Sequence, residues 1–306
     1  MPVSFYEIVW VFMIYAFLGW CTEVAYAALE LKEFVNRGFL NGPVCPIYGC
    51  GVLVVLTLLE PLKQSFLLLF IGSFFLTSIL EFFTGFLLEK IFHNQWWDYS
   101  DENFNICGYV CLKFSILWGL GCTLIVNVIH PNIDKFINIL PKIPGTVLLA
   151  LFSIVFLADL VITAGTILRF NKRLKLLDEA ASKIKIISDE IGENIYEGVT
   201  AAVVKGEEFK ESIEIKSAEL KTKSEEFKEN IEIKSAELRT KGEEFRIRTT
   251  ELREEKIRLL QEYERLMGHK SIGMKRLMKA FPKMKSEFYQ ETLIRWKNYR
   301  NEKKER

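Results

Sequence analysis

Long apolar segments in the first 170 residues constrain the fold more than any other feature of the sequence. A helix needs about 20 apolar residues to cross the hydrocarbon core of a bilayer, at a rise of about 1.5 Å per residue. The candidate segments are residues 5–30, 47–59, 66–90, 111–129 and 146–168. The second is short, so we expect it to recruit part of the preceding loop. The pattern predicts an all-α, polytopic membrane helical bundle of about five spans.

The composition changes sharply near residue 170, after which charged residues dominate. Over the whole chain the 40 basic and 39 acidic residues almost cancel, so the net charge indicates no particular partner. We predict three regions: a transmembrane helical domain (1–170), a charged helical or coiled-coil region (171–269) and a basic amphipathic tail (270–306).

The distribution of lysine and arginine predicts the orientation. Arg169, Lys172 and Arg173 follow the last span, and such a basic flank stays cytoplasmic. With five spans, the N-terminus then lies outside the cell membrane and the charged tail inside. Whichever way the chain inserts, the loops at 31–46 and 91–110 share one side.

Residues 36–51 form an irregular stretch with four glycines and two prolines, next to membrane-length helices. Glycine permits positive φ and proline removes a backbone donor, so this stretch is not a regular helix. Irregular backbone at membrane depth is either buried in protein or lines a cavity. We interpret the stretch as part of a functional site; the alternative is an interhelical turn.

Glu23, Glu81 and Asp159 lie inside predicted spans, in the halves nearer these loops. A carboxylate in a bilayer costs at least ~2.5 kcal/mol, so such groups face the bundle interior and mark functional paths. The alternative is that they pair with Arg37 or with aromatic donors to fix helix packing. One arginine cannot neutralise three carboxylates, so at least one of them is protonated or in contact with water.

The second loop, residues 94–112, places aromatic and acidic side chains together. Its aromatic residues suit a membrane interface, whereas Asp98 and Asp101 among them suit a small binding surface. The residues that we predict to line a cavity or transport site are Glu23, Asn36, Arg37, Asn41, Tyr48, Glu81, Trp97, Asp98, Tyr99 and Asp159.

The sequence carries no pattern typical of an enzyme. It has no Ser/His/Asp set, and its six cysteines show neither CxxC spacing nor a cluster with histidine. We therefore expect no catalytic residues, no metal and no cofactor.

The charged region contains an internal repeat, in which residues 206–223 recur at 224–241 with three substitutions. A heptad-like seam precedes it, starting at Leu174. A weak coiled coil or self-association arm and a single solvated helix are both consistent with this pattern. Glycines at 192, 198, 206 and 242 predict breaks in the helix.

From residue 270 the chain carries twelve lysines and arginines against four glutamates, with aromatic residues interleaved. This composition suits an anionic membrane surface, and nucleic acid is the less favoured partner. The predicted membrane-surface residues are Lys283, Lys285, Arg295, Trp296 and Lys297.

Several of these motifs together resemble one known family. They are Gly19, Trp20 and Glu23, the run 36–51, Glu81, the segments 96–100 and 104–112, and Trp118 with Gly119. In these features the chain is similar to the putative ABC-transporter permease, type IV family of bacterial multi-pass membrane proteins, over about residues 5–170. The resemblance implies an integral membrane permease. Because the chain lacks a G-x-x-x-x-G-K-[ST] phosphate loop, ATP hydrolysis would require a separate ATPase subunit.

Two functions follow from these patterns. The first is a transport component whose cavity opens toward the cytoplasmic loops and accepts a cation or a proton-coupled solute. The second is a non-transporting membrane anchor or sensor that presents a cytoplasmic coiled-coil arm. Five spans are few for a complete transporter, so we expect a homo-oligomer or partner subunits in addition to the lipid bilayer.

Overall fold

The computed structural model describes residues 4–219, 224–269 and 271–305, which form two compact units. The first unit comprises Met1–Leu174 together with Lys270–Arg306, and the second comprises Lys175–His269. The segment after residue 270, which we predicted as a separate tail, therefore belongs to the same unit as the apolar helices.

The apolar helices begin and end at residues whose local chemistry favours a terminus. Helix α1 (Phe5–Leu31) starts with a capping box between Ser4 and Glu7 and ends at Lys32 in the left-handed region. Helix α3 (Phe66–Phe92) is capped by the Ser65 hydroxyl and ends at His93, also left-handed. These ends determine where the two irregular loops begin.

Helix α2 (Pro46–Leu59) is shorter and continues as a 3₁₀ turn to Leu62. Proline suits the first turn of a helix because its missing N–H would have no partner there. The expectation that this helix recruits the preceding loop is therefore wrong, since the helix begins at Pro46 and the loop stays irregular.

The fourth apolar region comprises helix α4 (Leu112–Leu124), a π-helical stretch (Ile125–Ile129) and helix α5 (His130–Ile139). Helix α6 (Lys142–Glu219) begins apolar and continues into the charged region. Four helical stretches, Phe5–Glu30, Phe66–Phe92, Leu112–Ile139 and Lys142–Ala201, are long and apolar enough to cross a membrane, and Pro46–Leu62 is a shorter apolar helix. The all-α bundle is confirmed, with four segments of spanning length within the described ranges.

The core of the bundle lies between α1, α2 and the α4–α5 region, where Trp10, Val55 and Val126 are buried together. In contrast, the side chains of Phe66, Phe75 and Phe83 along α3 are more than half exposed. Apolar side chains on the outside of membrane-length helices suit a lipid environment.

The two irregular loops meet at one end of the bundle, which we call the loop end. The first loop (residues 32–45) follows α1, and the second (93–111) follows α3. The Phe39 ring packs edge-on against Trp96 of the second loop, with ring centroids 5.1 Å apart. Both loops therefore lie on one side of the bundle, as predicted.

The second loop contains short strands and a tight turn. Strand β1 (Asn94–Gln95) opens the loop, and β2 (Asn105–Ile106) pairs antiparallel with β3 (Val110–Cys111). Gly108 in the turn has φ +71°, and a Cβ there would lie 2.6 Å from Asp98 Oδ1, so only glycine fits without strain.

The C-terminal part of the first unit contains α8 (Ile272–Ala280), β4 (Lys285–Ser286) and α9 (Gln290–Glu305). Strand β4 pairs antiparallel with β1, placing Ser286 opposite Asn94. We call residues 271–305 the C-terminal segment. It is held at the loop end by backbone pairing as well as by side chains.

The second unit is a helical hairpin formed by α6 from Lys175 onward and α7 (Ser224–Gly268). Arg248 Nη2 lies 2.9 Å from Glu190 Oε1, and the Phe245 ring packs on Gly198. The predicted breaks at the four glycines are wrong, since α6 and α7 run through all of them. A single helical glycine costs only about 1 kcal/mol, and Gly198 leaves room for the Phe245 ring.

The first 18-residue repeat (206–223) begins in α6, and the second (224–241) begins at the start of α7. Their residues 220–223 lie outside the described residues. Self-association through the repeats or the heptad seam stays a prediction.

Candidate functional site

Tyr48 and Glu23 join the first two helices at the loop end. A Cβ at Gly19 would lie 2.2 Å from Tyr48 Cγ, so glycine is what lets the tyrosine ring lie against α1. The Tyr48 hydroxyl donates a hydrogen bond to Glu23 Oε1 at 2.6 Å. The close approach of α1 and α2 thus brings the Tyr48 hydroxyl into hydrogen-bond contact with Glu23.

Arg37 of the first loop compensates the charge of Glu23. Its Nε lies 3.4 Å from Glu23 Oε2, and its Nη1 lies 3.8 Å from Glu30 Oε2. The guanidinium also lies over the Tyr26 ring, 5.2 Å from the centroid. Arg37 is therefore occupied by two carboxylates and one aromatic face.

Glu81 on α3 has much weaker compensation. Its side chain is 92% buried (8% exposed), and Oε1 accepts a hydrogen bond from the Tyr99 hydroxyl at 3.4 Å, which is long for an O–H donor. The Trp118 indole is also near the carboxylate. Oε2 has no hydrogen-bond partner in the described part of the chain.

Aromatic rings surround these two carboxylates. The Tyr99 ring stacks on Phe114 with centroids 4.9 Å apart, and Tyr48 packs edge-on against Trp118 at 5.5 Å. Rings of this kind exclude water and raise the electrostatic cost of an unpaired charge. We call Glu23, Arg37, Tyr48, Glu81 and Tyr99 the carboxylate cluster.

Asp159 on α6 holds the first loop and lies outside this cluster. It accepts hydrogen bonds from the backbone N–H groups of Asn41 (3.1 Å) and Gly42 (2.6 Å). The Asn41 amide (2.8 Å) and the Thr163 hydroxyl (3.1 Å) complete four donors. Such a set satisfies a carboxylate without a cation.

Asn36 organises the first loop internally. Its side-chain oxygen accepts from the Trp20 indole at 2.8 Å, and its amide donates to the Asn41 carbonyl at 2.8 Å. The predicted residues Asn36, Asn41 and Asp159 thus form one network that shapes the loop carrying Arg37.

Asp98 and Trp97 form a third group, in the second loop. Asp98 accepts from the backbone N–H of Ser100 at 2.9 Å and pairs with Lys285 of the C-terminal segment. Burial alone would raise the pKa of Asp98, but the hydrogen bonds from Lys285 and Ser100 outweigh it and lower the pKa to about 2. The Trp97 indole donates to the Tyr109 carbonyl at 2.9 Å.

The residues predicted to contact a membrane surface have varied environments in the C-terminal segment. Trp296 is buried and packs edge-on against Phe170, with centroids 5.3 Å apart. Lys297 donates to the carbonyls of Met284 (3.0 Å) and Pro282 (3.2 Å). Arg295 pairs with Glu291 on its own helix at 3.7 Å, and Lys283 lies 3.2 Å from Asp101.

Two residues near these groups are missing from the set of site residues predicted from the sequence. Arg276 donates to the carbonyls of Gly38 (2.6 Å) and Phe39 (2.8 Å), but no local pattern connects it with a loop 235 positions away. Trp118 lies on an apolar helix, where a tryptophan is ordinary; its position beside Tyr48 depends on how α2 and α4 pack.

Comparison with known proteins gives one family. A sequence model of the family described as "Putative ABC-transporter type IV" matches residues 10–164, about half of the chain. No curated protein and no solved structure matches the chain. The matched residues contain Glu23, Glu81 and Asp159 together with both loops. The chain is a membrane protein that belongs to the putative ABC-transporter type IV family.

Proposed function

We propose that this protein is the membrane component of an ABC-type transport system, and that Glu81 binds a proton or a small cation during transport. The observation that carries the proposal is the Oε2 atom of Glu81, buried without a hydrogen-bond partner among the described residues.

The other two carboxylates predicted to lie inside the spans already have partners. Asp159 has four hydrogen-bond donors, and Glu23 has Arg37 and the Tyr48 hydroxyl. Glu81 has only the long hydrogen bond from Tyr99 and the neighbouring indole. A carboxylate in such a place requires a compensating positive charge, which a proton or cation supplies.

The cluster also offers a route for that charge toward the loop end. Tyr99 of the second loop donates its hydroxyl to Glu81, and its electrostatic environment includes Glu81, Glu23 and Arg37. Burial and these carboxylates raise the pKa of Tyr99, so it stays a neutral donor at physiological pH. Ionisable side chains grouped inside a membrane domain are typical of proton relays, and Glu81 and Glu23 are two such groups.

We further propose that the loop end faces the cytoplasm and that a separate ATPase subunit supplies the energy. The basic flank at Arg169, Lys172 and Arg173 supports this orientation. The family description supports an ATPase partner.

The first test detects a proton on Glu81 without knowledge of the substrate. Infrared difference spectra of the purified full-length protein, recorded across a pH titration, report the C=O stretch of protonated carboxyl groups. We expect a pH-dependent signal in the wild type that is absent in Glu81→Gln. The matched control is Glu30→Gln, which removes an exposed carboxylate from the end of α1 and should retain the signal.

Two outcomes would contradict the proposal. One is a Glu81→Gln spectrum that matches the wild type. The other is a Glu81→Gln protein that fails to accumulate in the membrane while Glu30→Gln accumulates normally, because Glu81 would then serve helix packing. Titration with sodium chloride at fixed pH separates the two ligands: a metal cation that competes at Glu81 shifts the signal, and a site for protons alone is insensitive to sodium.

A membrane anchor that presents a cytoplasmic arm is the second candidate function. The separate helical hairpin at Lys175–His269 favours it, because such a unit suits the binding of another helical protein. In that case Glu81→Gln would leave the cellular phenotype unchanged, and removal of residues 175–269 would abolish it.

A further inference from the structure

The C-terminal segment contacts both loops that contribute residues to the carboxylate cluster. On the first loop, Arg276 donates to the carbonyls of Gly38 and Phe39 and to the Asn41 side-chain oxygen at 3.2 Å. On the second loop, Lys285 pairs with Asp98. These loops carry Arg37 and Tyr99, which contact Glu23 and Glu81.

Two side chains hold the first loop, one through its backbone N–H groups and the other through its backbone carbonyls. Asp159 on α6 accepts the N–H groups of Asn41 and Gly42, and Arg276 on α8 donates to the carbonyls of Gly38 and Phe39. A guanidinium presents up to five N–H donors in a fixed planar fork, so one side chain can bind several carbonyls at once. Together the two residues restrict the loop immediately after Arg37.

Arg276 makes these contacts from a partly desolvated position. Burial lowers the pKa of its guanidinium, while the nearby Asp159 carboxylate opposes that shift. A desolvated cation that donates to backbone carbonyls is strongly constrained in geometry, unlike a lysine or arginine exposed to solvent. The hydrogen bonds to the loop carbonyls and to the Asn41 side chain account for its position.

An apolar core fixes the segment beneath these polar contacts. Met274, Leu277 and Met284 are almost fully buried, and the Phe281 ring packs on Trp96 with centroids 5.5 Å apart. The exposed pair between Lys283 and Asp101 adds little, since surface ion pairs contribute weakly. Buried residues therefore hold the segment in place, and exposed ion pairs such as Lys283–Asp101 contribute little to its docking.

We infer that Arg276 is a positioning residue of the carboxylate cluster and that the C-terminal segment, which carries Arg276, is a functional part of the membrane domain. By fixing the first loop, Arg276 keeps the guanidinium of Arg37 on Glu23, so that Arg37 does not move to compensate Glu81. The relevance to transport rests on the proposed function, but the positioning itself can be measured without any transport assay.

Hydrogen–deuterium exchange of the full-length protein in detergent tests the positioning. In Arg276→Gln we expect the amides of Asn41 and Gly42 to exchange at least tenfold faster than in the wild type. Arg295→Gln is the matched control, because Arg295 pairs with Glu291 on its own helix; its loop amides should exchange at the wild-type rate. Arg276→Lys keeps the positive charge but loses the planar set of guanidinium N–H donors, so its loop amides should exchange at an intermediate rate.

Three results would overturn the inference. The first is unchanged exchange of the loop amides in Arg276→Gln. The second is a wild-type segment whose α8 amides are unprotected until phosphatidylglycerol vesicles are added, since the segment would then belong on a lipid surface. The third applies if Arg276→Gln does not accumulate and Arg276→Lys is compared with the wild type instead. In that case, loop amides of Arg276→Lys that exchange at the wild-type rate would overturn the inference.

The infrared signal of Glu81 provides a second readout. If Arg276 positions the cluster, the pH midpoint of that signal shifts in Arg276→Gln and partly returns in Arg276→Lys. A failure of the proposed function gives a different pattern: the loop amides still exchange faster in Arg276→Gln, but the wild type shows no signal that depends on Glu81.

Discussion

The ion pair between Asp98 and Lys285 predicts how the docking of the C-terminal segment depends on pH. The pKa of Asp98 is lowered from 3.8 to about 2 in the folded protein. A group with a lowered folded pKa stabilises the folded state above its unfolded pKa, and this contribution is lost as the pH falls through the folded pKa. The contribution should therefore be constant from pH 7 to about pH 5 and decline between about pH 4 and pH 2.

The magnitude follows from the size of the shift. A change of almost two pKa units corresponds to roughly 2.5 kcal/mol as an upper limit. The Asp98 side chain is 8% exposed but Lys285 is 51% exposed, so solvent screens the pair from one side. The hydrogen bonds from Ser100 also supply part of the shift, so we expect a coupling free energy between Asp98 and Lys285 of about 1 kcal/mol.

A double-mutant cycle with Asp98→Asn and Lys285→Gln measures this coupling. The observable is the rate at which chymotrypsin cleaves the C-terminal segment in the full-length protein, which reports the fraction of the segment that is released, because the substitutions leave its aromatic cleavage sites unchanged. The matched control is the cycle with Asp101→Asn and Lys283→Gln, whose side chains are 84% and 60% exposed. That pair should give no more than about 0.5 kcal/mol.

Two results would refute this reasoning. Equal coupling in the two cycles would mean that burial of Asp98 does not strengthen the pair. An unchanged pH dependence of cleavage in Asp98→Asn, measured with an acid-stable protease below pH 5, would mean that another group causes the loss of docking in acid.

Three other substitutions or deletions test separate parts of the structure. Gly19→Ala should push Tyr48 away from α1 and lower stability by about 1–3 kcal/mol, measured by thermal unfolding in detergent, because the added Cβ has no room; a variant as stable as the wild type would contradict this contact. Asp159→Asn should weaken the hydrogen bond to the Gly42 N–H and destabilise the first loop by about 1.5–3 kcal/mol, measured by hydrogen exchange of the loop amides. Exchange at the wild-type rate would contradict this role of Asp159. Replacement of residues 175–269 by a flexible linker should leave docking of the C-terminal segment intact, since both flanking parts belong to one unit; rapid tryptic cleavage of the segment would refute this.

The helices of the membrane domain could be predicted from the sequence because their causes are local. Segment length and hydropathy fix the spans, and caps such as Ser4 and Ser65 fix where two of the helices start. The meeting of the two loops at one end also follows from the alternation of apolar segments. The start of the second helix differs from the prediction, because Pro46 lies in its first turn, where a proline needs no backbone donor.

The candidate site was predictable as a set of residues but not as an arrangement. An ionisable residue in an apolar segment is conspicuous in any sequence, which is why Glu23, Glu81 and Asp159 were found. Which of them keeps an oxygen without a hydrogen-bond partner, as Glu81 does at Oε2 among the described residues, depends on contacts between distant positions. Asp159 is satisfied by a loop about 118 residues earlier in the chain, and this pairing has no local signature.

Only the tertiary structure shows where the two charged regions pack. A basic, aromatic segment has the same composition whether its aromatic residues face outward or lie in a core, and only the structure places Trp296 and Met274 in buried positions. Likewise, a charged helical sequence with a weak apolar seam can extend or fold back, and the contact between Glu190 and Arg248 shows that it folds back. Local patterns specify helices and their faces, whereas the partner of each face depends on the free energy of packing over the whole chain.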